Sequence, residues 1–348
     1  MTKKNRDEEK LNYAAEVRLL KQQGPGRLYF LWGPEDYLRE QYLTLLKSLC
    51  LPEMEDSFSY RRLNGPELDA KDLQQAVDAM PFLCEHSFVE IRDADLNKLA
   101  APDDLLKVLE DVPDYCTVAF VQNAQFEPDG RLKFIKSLRT LGIELKFTQQ
   151  SQGMLTDWIA RRFSAAGKSV DLEAAQRLMF ISGDLMSRLI PEIEKIAAYA
   201  KGDRVTVADV EAVANHIPEA VIFEMTELIA QKKFNAAMSV LSELLSDKNN
   251  EPIAMLAVLG SQMRKLYGAR LALDKKLGSK YVMEVCAIKY DFIANKLLAS
   301  AKSFALPQLR QAVRMCAEAD YKMKSGGGDA RELLKETVLR IAAGESDA

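Results

Sequence analysis

Between residues 27 and 147 the chain alternates five short apolar runs with amphipathic stretches, and no other feature limits its fold so tightly. The runs are Arg27 to Trp32, Phe58 to Leu63, Ser87 to Arg92, Cys116 to Gln122 and Ile143 to Phe147. Each has strand length and is rich in aromatic or β-branched residues. The stretches between them, Glu35 to Cys50, Asp69 to Ala79, Pro102 to Asp111 and Asp129 to Leu141, read as helices. Strands separated by helices over such distances imply βαβ crossovers and a mostly parallel sheet covered on both faces, a Rossmann-like α/β domain.

After Phe147 the strand signal is expected to stop. Met154, Leu155, Trp158, Ile159 and Phe163 form the apolar stripe of a helix that ends near Gly167. Asp171 opens a second helix, Asp184 a third, and Thr206 or Val207 a fourth. Pro218 marks a boundary, and long helices follow at about 222–232, 234–246, 252–277, 291–303, 307–323 and 330–342. For 348 residues, two to three domains are expected. We divide the chain into an N-terminal extension (1–22), the α/β domain (23–147), a small helical domain (148–216) and a C-terminal helical domain (217–348).

Composition narrows the class. Hydrophobic residues at 48% and charged residues at 28% belong to a folded soluble chain. The apolar stretch Pro252 to Met263 is too short to span a bilayer, which needs roughly 20 residues, so no membrane partner is expected. The charge-dense start has no apolar core of a secretory signal, and the expected address is the cytoplasm. Five cysteines without a C-x-x-C pair read as reduced thiols, and two distant histidines, His86 and His216, do not suggest zinc. The net charge of −4 divides as 20 basic against 26 acidic residues in 1–147, 8 against 9 in 148–216 and 19 against 16 in 217–348. That argues against a general nucleic-acid coat, which would be strongly basic.

The junction after the first strand separates an enzyme from a scaffold. An α/β nucleotide-binding protein places its phosphate loop there, with glycines, a lysine and a Ser or Thr. Here the residues are Gly33, Pro34, Glu35 and Asp36. Two acids on the first helical turn suit the helix dipole and repel a triphosphate, so the site reads as degenerate, self-capped and without cofactor. Gly167-Lys168-Ser169 spells the end of a phosphate loop but follows a helix, and reads as a C-cap and turn. Asp93 and Asp95 read as loop or capping acids. No nucleophile, base and orienting acid come together as a motif, and neither a catalytic nor a metal site is expected.

Four blocks carry a family resemblance. The opening Leu28-Tyr29-Phe30-Leu31-Trp32-Gly33-Pro34-Glu35-Asp36-Tyr37-Leu38 resembles the start of the delta subunit of the bacterial DNA polymerase III clamp loader. Gly183-Asp184-Leu185 through Tyr199, with the Val205-to-Val210 helix start, is similar to its second domain. Ile222-Phe223-Glu224, Ala236-Ala237 and Leu256 through Leu266 resemble the start of its third domain, and Ala319 to Lys324 followed by Asp329 its C-terminal end. The resemblance runs from about 27 to 343 with block order preserved.

The resemblance implies an AAA+-like α/β domain, a small helical lid domain and a helical collar. It implies a subunit of the polymerase III holoenzyme that opens the ring-shaped sliding clamp (the beta subunit) without hydrolysing ATP itself. Implied partners are the clamp, the clamp-loader ATPase subunits, the delta-prime subunit, and primed DNA through the assembled complex. The alternatives are another inactive subunit of stator type or a DNA-associated scaffold. Against the ATPase stands the missing phosphate loop; against the stator stand the missing zinc module and the Leu189 that follows Ser187-Arg188. The apolar cluster Met80, Pro81, Phe82 and Leu83 lies in a connection, where loops are normally polar. By residue type alone it could fold back onto the sheet; the resemblance implies a clamp contact, with Phe82 and Leu83 entering a pocket on the clamp.

Overall fold

The computed structural model describes residues 12–51, 59–81, 84–247 and 250–344. It divides into two compact units, residues 1–155 with 184–191, and residues 156–183 with 192–348.

The first unit holds the sheet. Its strands are β1 (Leu28–Trp32), β2 (Tyr60–Asn64), β3 (Ser87–Arg92), β4 (Cys116–Val121) and β5 (Ile143–Lys146), in the order β2-β3-β4-β1-β5. Every pairing is parallel, with Leu28 beside Val118 and Tyr29 beside Ile143. β1, β3 and β4 are buried almost throughout, because helices cover both faces, and this burial is why their sequences are apolar runs instead of alternations. One face packs Phe30, Trp32, Val118 and Phe120 against α3 (Ala70–Val77), α4 (Pro102–Glu110) and α5 (Lys133–Leu141). The other lays Tyr29 and Phe147 against Tyr42 of α2 (Asp36–Cys50), with ring centroids 6.4 and 5.9 Å apart. Outside this core, residues expected as extension form α1 (Tyr13–Gln23), which packs on α2.

The helix starts follow local chemistry. α4 has Pro102 at its first turn beside Asp103 and Asp104, where the missing proline N–H is harmless and the acids meet the dipole. Helix α5 starts at Lys133, later than the expected Asp129. Asp129 instead accepts a hydrogen bond from the Arg131 backbone at 3.0 Å and pairs with its guanidinium, a local turn that competes with helix.

The second unit is helical. Helix α6 (Gln152–Ala165) enters it, α7 is Leu172–Ser182, α8 (Met186–Tyr199) continues into it, and α9 (Val207–Val213) begins with a capping box of Thr206 and Asp209. Then come α10 (Pro218–Ala230), α11 (Phe234–Ser246), α12 (Pro252–Asp274), α13 (Ser279–Val285), α14 (Asp291–Ala301), α15 (Leu306–Lys324) and α16 (Ala330–Ala343). The most extensive packing in the unit is of α12 against α15, through residues such as Leu259, Met263 and Cys316.

Two expectations need correction. Strand structure does not stop at Phe147: β6 (Ser169–Val170) and β7 (Arg204–Val205) pair in parallel. Two-residue strands leave no periodic signal, and their partners lie 35 positions apart. In the segment after Gly278, expected as a turn, the glycine precedes the short helix α13. Among the described residues no helix is long and apolar enough to cross a membrane, and no cluster of three potential metal ligands occurs.

Candidate functional site

The degenerate junction sits at the carboxyl end of β1, the central strand flanked by β4 and β5, where open α/β sheets place ligands. Gly33 has φ +119°, and a Cβ there would lie 2.5 Å from the Phe147 carbonyl oxygen. The chain therefore turns against β5 as only glycine allows.

The amides that a phosphate would need are already engaged. Glu35 N–H donates to the Phe147 carbonyl at 3.0 Å, Asp36 N–H to the Pro34 carbonyl at 3.1 Å, and Tyr37 N–H to Asp36 Oδ1 at 2.9 Å. Arg39 Nη1 donates to the Gly33 carbonyl at 2.8 Å. With these donors used and Asp36 supplying the cap, the helix start is closed from within.

Glu35 departs from the sequence expectation. Its side chain makes no cap hydrogen bond and displays no surface charge; it is completely buried, with Oε2 accepting from the Met186 N–H at 3.5 Å and Oε1 lacking a partner. Burial pushes its pKa from 4.5 up to about 7; the Met186 N–H opposes the rise, while Asp36 and Asp184 add to it. The expected pair of surface charges is therefore one half-exposed Asp36 and one buried acid that holds its proton to near neutrality. A pattern of residue types could not distinguish these, because Met186 lies 151 positions away.

Beside this junction lies a charged group that sequence reasoning missed. Glu90, 1% exposed in β3, pairs with Lys47 and Arg92 and accepts from the Tyr60 hydroxyl at 2.9 Å. Arg92 reaches on to Glu40 with two bonds of 2.8 and 2.7 Å. Burial alone would raise the Glu90 pKa, but the hydrogen bonds from Lys47 and Arg92 hold it below the ordinary value. The sequence signal was an acid inside an apolar run, which must find cations when buried. Glu90 faces no open site, and its role is to tie α2 to the sheet.

The remaining expected positions are separate. Gly167 has φ +74°, and Lys168 Nζ donates to the Ala200 and Gly202 carbonyls at 2.9 and 2.7 Å, so Gly167-Lys168-Ser169 is a helix end and turn. Asp93 occupies a left-handed turn with φ +56°, and Asp95 pairs with Lys98. Met80 is 81% exposed and Pro81 is half-buried, whereas Phe82 and Leu83 lie outside the described residues.

Residues 219–341 match the family model described as the DNA polymerase III delta subunit, C-terminal domain. DNA polymerase III subunit delta of Bacillus subtilis is 24% identical over 327 residues, covering 90% of this chain and 92% of that protein. A probable DNA polymerase III subunit delta of Aquifex aeolicus is 24% identical over 321 residues, covering 89% of each. A solved structure of the Bacillus subtilis DNA clamp loader delta protein covers 94% of this chain and 99% of its own, with 21% identity and a TM-score of 0.49. With a family model over its C-terminal helices and relatives aligned along nine-tenths of its length, the chain belongs to the DNA polymerase III delta-subunit family.

Proposed function

We propose that the chain works as the delta subunit of a bacterial clamp loader, binding and opening the sliding clamp during replication without hydrolysing ATP itself. The observation that carries the non-catalytic part is the closed helix start. The amides of Glu35, Asp36 and Tyr37 are satisfied by protein acceptors, and a buried acid stands where a phosphate loop carries its lysine. An AAA+-like α/β domain then serves as a rigid platform, and residues 217–348 serve as the collar that joins the ATPase and delta-prime subunits.

The clamp contact is assigned to Met80, Pro81, Phe82 and Leu83. The exposed Met80 side chain at the end of the α3 connection supports this assignment, since large apolar groups are seldom left in water without a partner. Replacing Phe82 and Leu83 together by Ala removes two anchors from a desolvated pocket and is expected to weaken binding to the cognate clamp at least about 30-fold. The check is clamp affinity by surface plasmon resonance alongside thermal melting. Unchanged affinity, or a stability loss large enough to explain the defect, refutes the assignment.

A further inference from the structure

The connection His216-Ile217-Pro218 looks in sequence like a linker between two helical domains, yet it lies inside one compact unit. On its N-terminal side, α7 ends with Phe180, Ile181 and Ser182. Ile217 N–H donates to the Ile181 carbonyl at 2.7 Å, and the Ser182 hydroxyl donates to the Asn215 carbonyl at 2.9 Å. Asn215 N–H donates to Glu192 Oε2 at 2.9 Å. Every one of these bonds holds the connection against the small helical region.

On the far side, Phe180 meets two aromatic rings edge to face. The Phe223 ring of α10 lies 5.3 Å away at 80°, and the Phe292 ring of α14 lies 5.9 Å away at 83°. Tyr290 extends the cluster from Phe292 at 5.7 Å. Arg177 covers Phe180 at 5.4 Å. Such T-shaped contacts place ring edges on ring faces and are favourable beyond the area they bury.

The charged groups nearby do not bridge the joint. Arg177, Glu211, Glu227 and Lys296 line a cavity of about 290 Å³ beside the rings. Arg177 pairs with Glu211 at 3.0 Å before the connection, and Lys296 with Glu227 at 3.3 Å after it. Each pair closes within its own side, so cohesion across the joint comes from the rings and the backbone bonds.

We propose that residues 156–183 with 192–216 and the helices from Pro218 onward are locked into one body by an aromatic clasp centred on Phe180, making the His216–Pro218 connection a clamped joint and not a hinge. This holds whether or not the clamp-loading reading is correct. If that reading is correct, the small helical region is part of the anchor that the collar provides, and not a separately mobile lid.

Hydrogen exchange on the full-length chain tests the clasp. In the unchanged protein the Ile217 amide is expected to exchange slowly. Phe180→Ala is expected to speed exchange about tenfold in α10 and α14 as well as in α7, while β1 and β4 keep their rates. Phe292→Ala, on the opposite side, is expected to loosen α7 in return. Raising salt to about 1 M is expected to leave the protection intact, because ion pairs do not carry it. If Phe180→Ala does not fold, Phe292→Leu replaces it and the same reciprocal effect on α7 is read. Fast exchange at Ile217 in the unchanged protein, or acceleration confined to the helix bearing the substitution, overturns the proposal.

Discussion

Replacing Glu35 by Gln tests the buried acid directly. The native carboxyl keeps its proton up to about pH 7, whereas in the unfolded chain its value is 4.5. Between these two values the folded state binds more protons than the unfolded one, so stability falls as pH rises, and the loss is complete above pH 7. At about 1.4 kcal/mol per decade, moving the value from 4.5 to about 7 corresponds to about 3 kcal/mol. Gln keeps the shape and the acceptor for the Met186 N–H but never ionises. The variant is therefore expected to be more stable than the parent by about 3 kcal/mol at pH 8 and by less than about 1 kcal/mol at pH 5. Urea unfolding followed by tryptophan fluorescence measures this. The chain's two tryptophans are Trp32 and Trp158, so a Trp158→Phe background leaves Trp32, buried in the same unit as Glu35, as the reporter. An equal gain at both pH values, or a loss at pH 8, would show that the acid is ionised in the folded protein and would refute the reasoning.

Three further outcomes are expected. Gly33→Ala places a Cβ against the Phe147 carbonyl at a φ of +119°, and a loss of at least about 2 kcal/mol in the same unfolding assay is expected. Glu90→Ala leaves Lys47 and Arg92 without their shared buried carboxylate, and a loss of about 3 kcal/mol is expected from denaturant melts. Titration calorimetry with Mg²⁺ and ATP up to about 1 mM is expected to give no binding heat, since the helix-start amides already have acceptors; micromolar binding lost on substituting residues around Gly33 would contradict this.

The alternation of β1 to β5 with α2 to α5 was legible because a parallel strand buried on both faces must be apolar along its whole length, and a crossover helix must be apolar on one side. Ser87–Arg92 and Pro102–Glu110 show how much such local constraint determines: both elements start at the residue read from sequence, and the helix ends one residue before the expected Asp111. The missing phosphate loop was equally legible, because the residues it requires are absent from one short segment. Other features depend on neighbours distant in the chain. Glu35 was readable as an acid on a first turn, but its burial depends on Met186, and β6 exists only because β7 lies beside it. Pro218 is a correct helix start and yet no unit boundary, because Phe180 reaches across to Phe223 and Phe292. Periodicity and capping record what each residue's immediate neighbours require, whereas burial, proton affinity and the joining of domains depend on which distant surfaces exclude water, and only the folded chain brings those surfaces together.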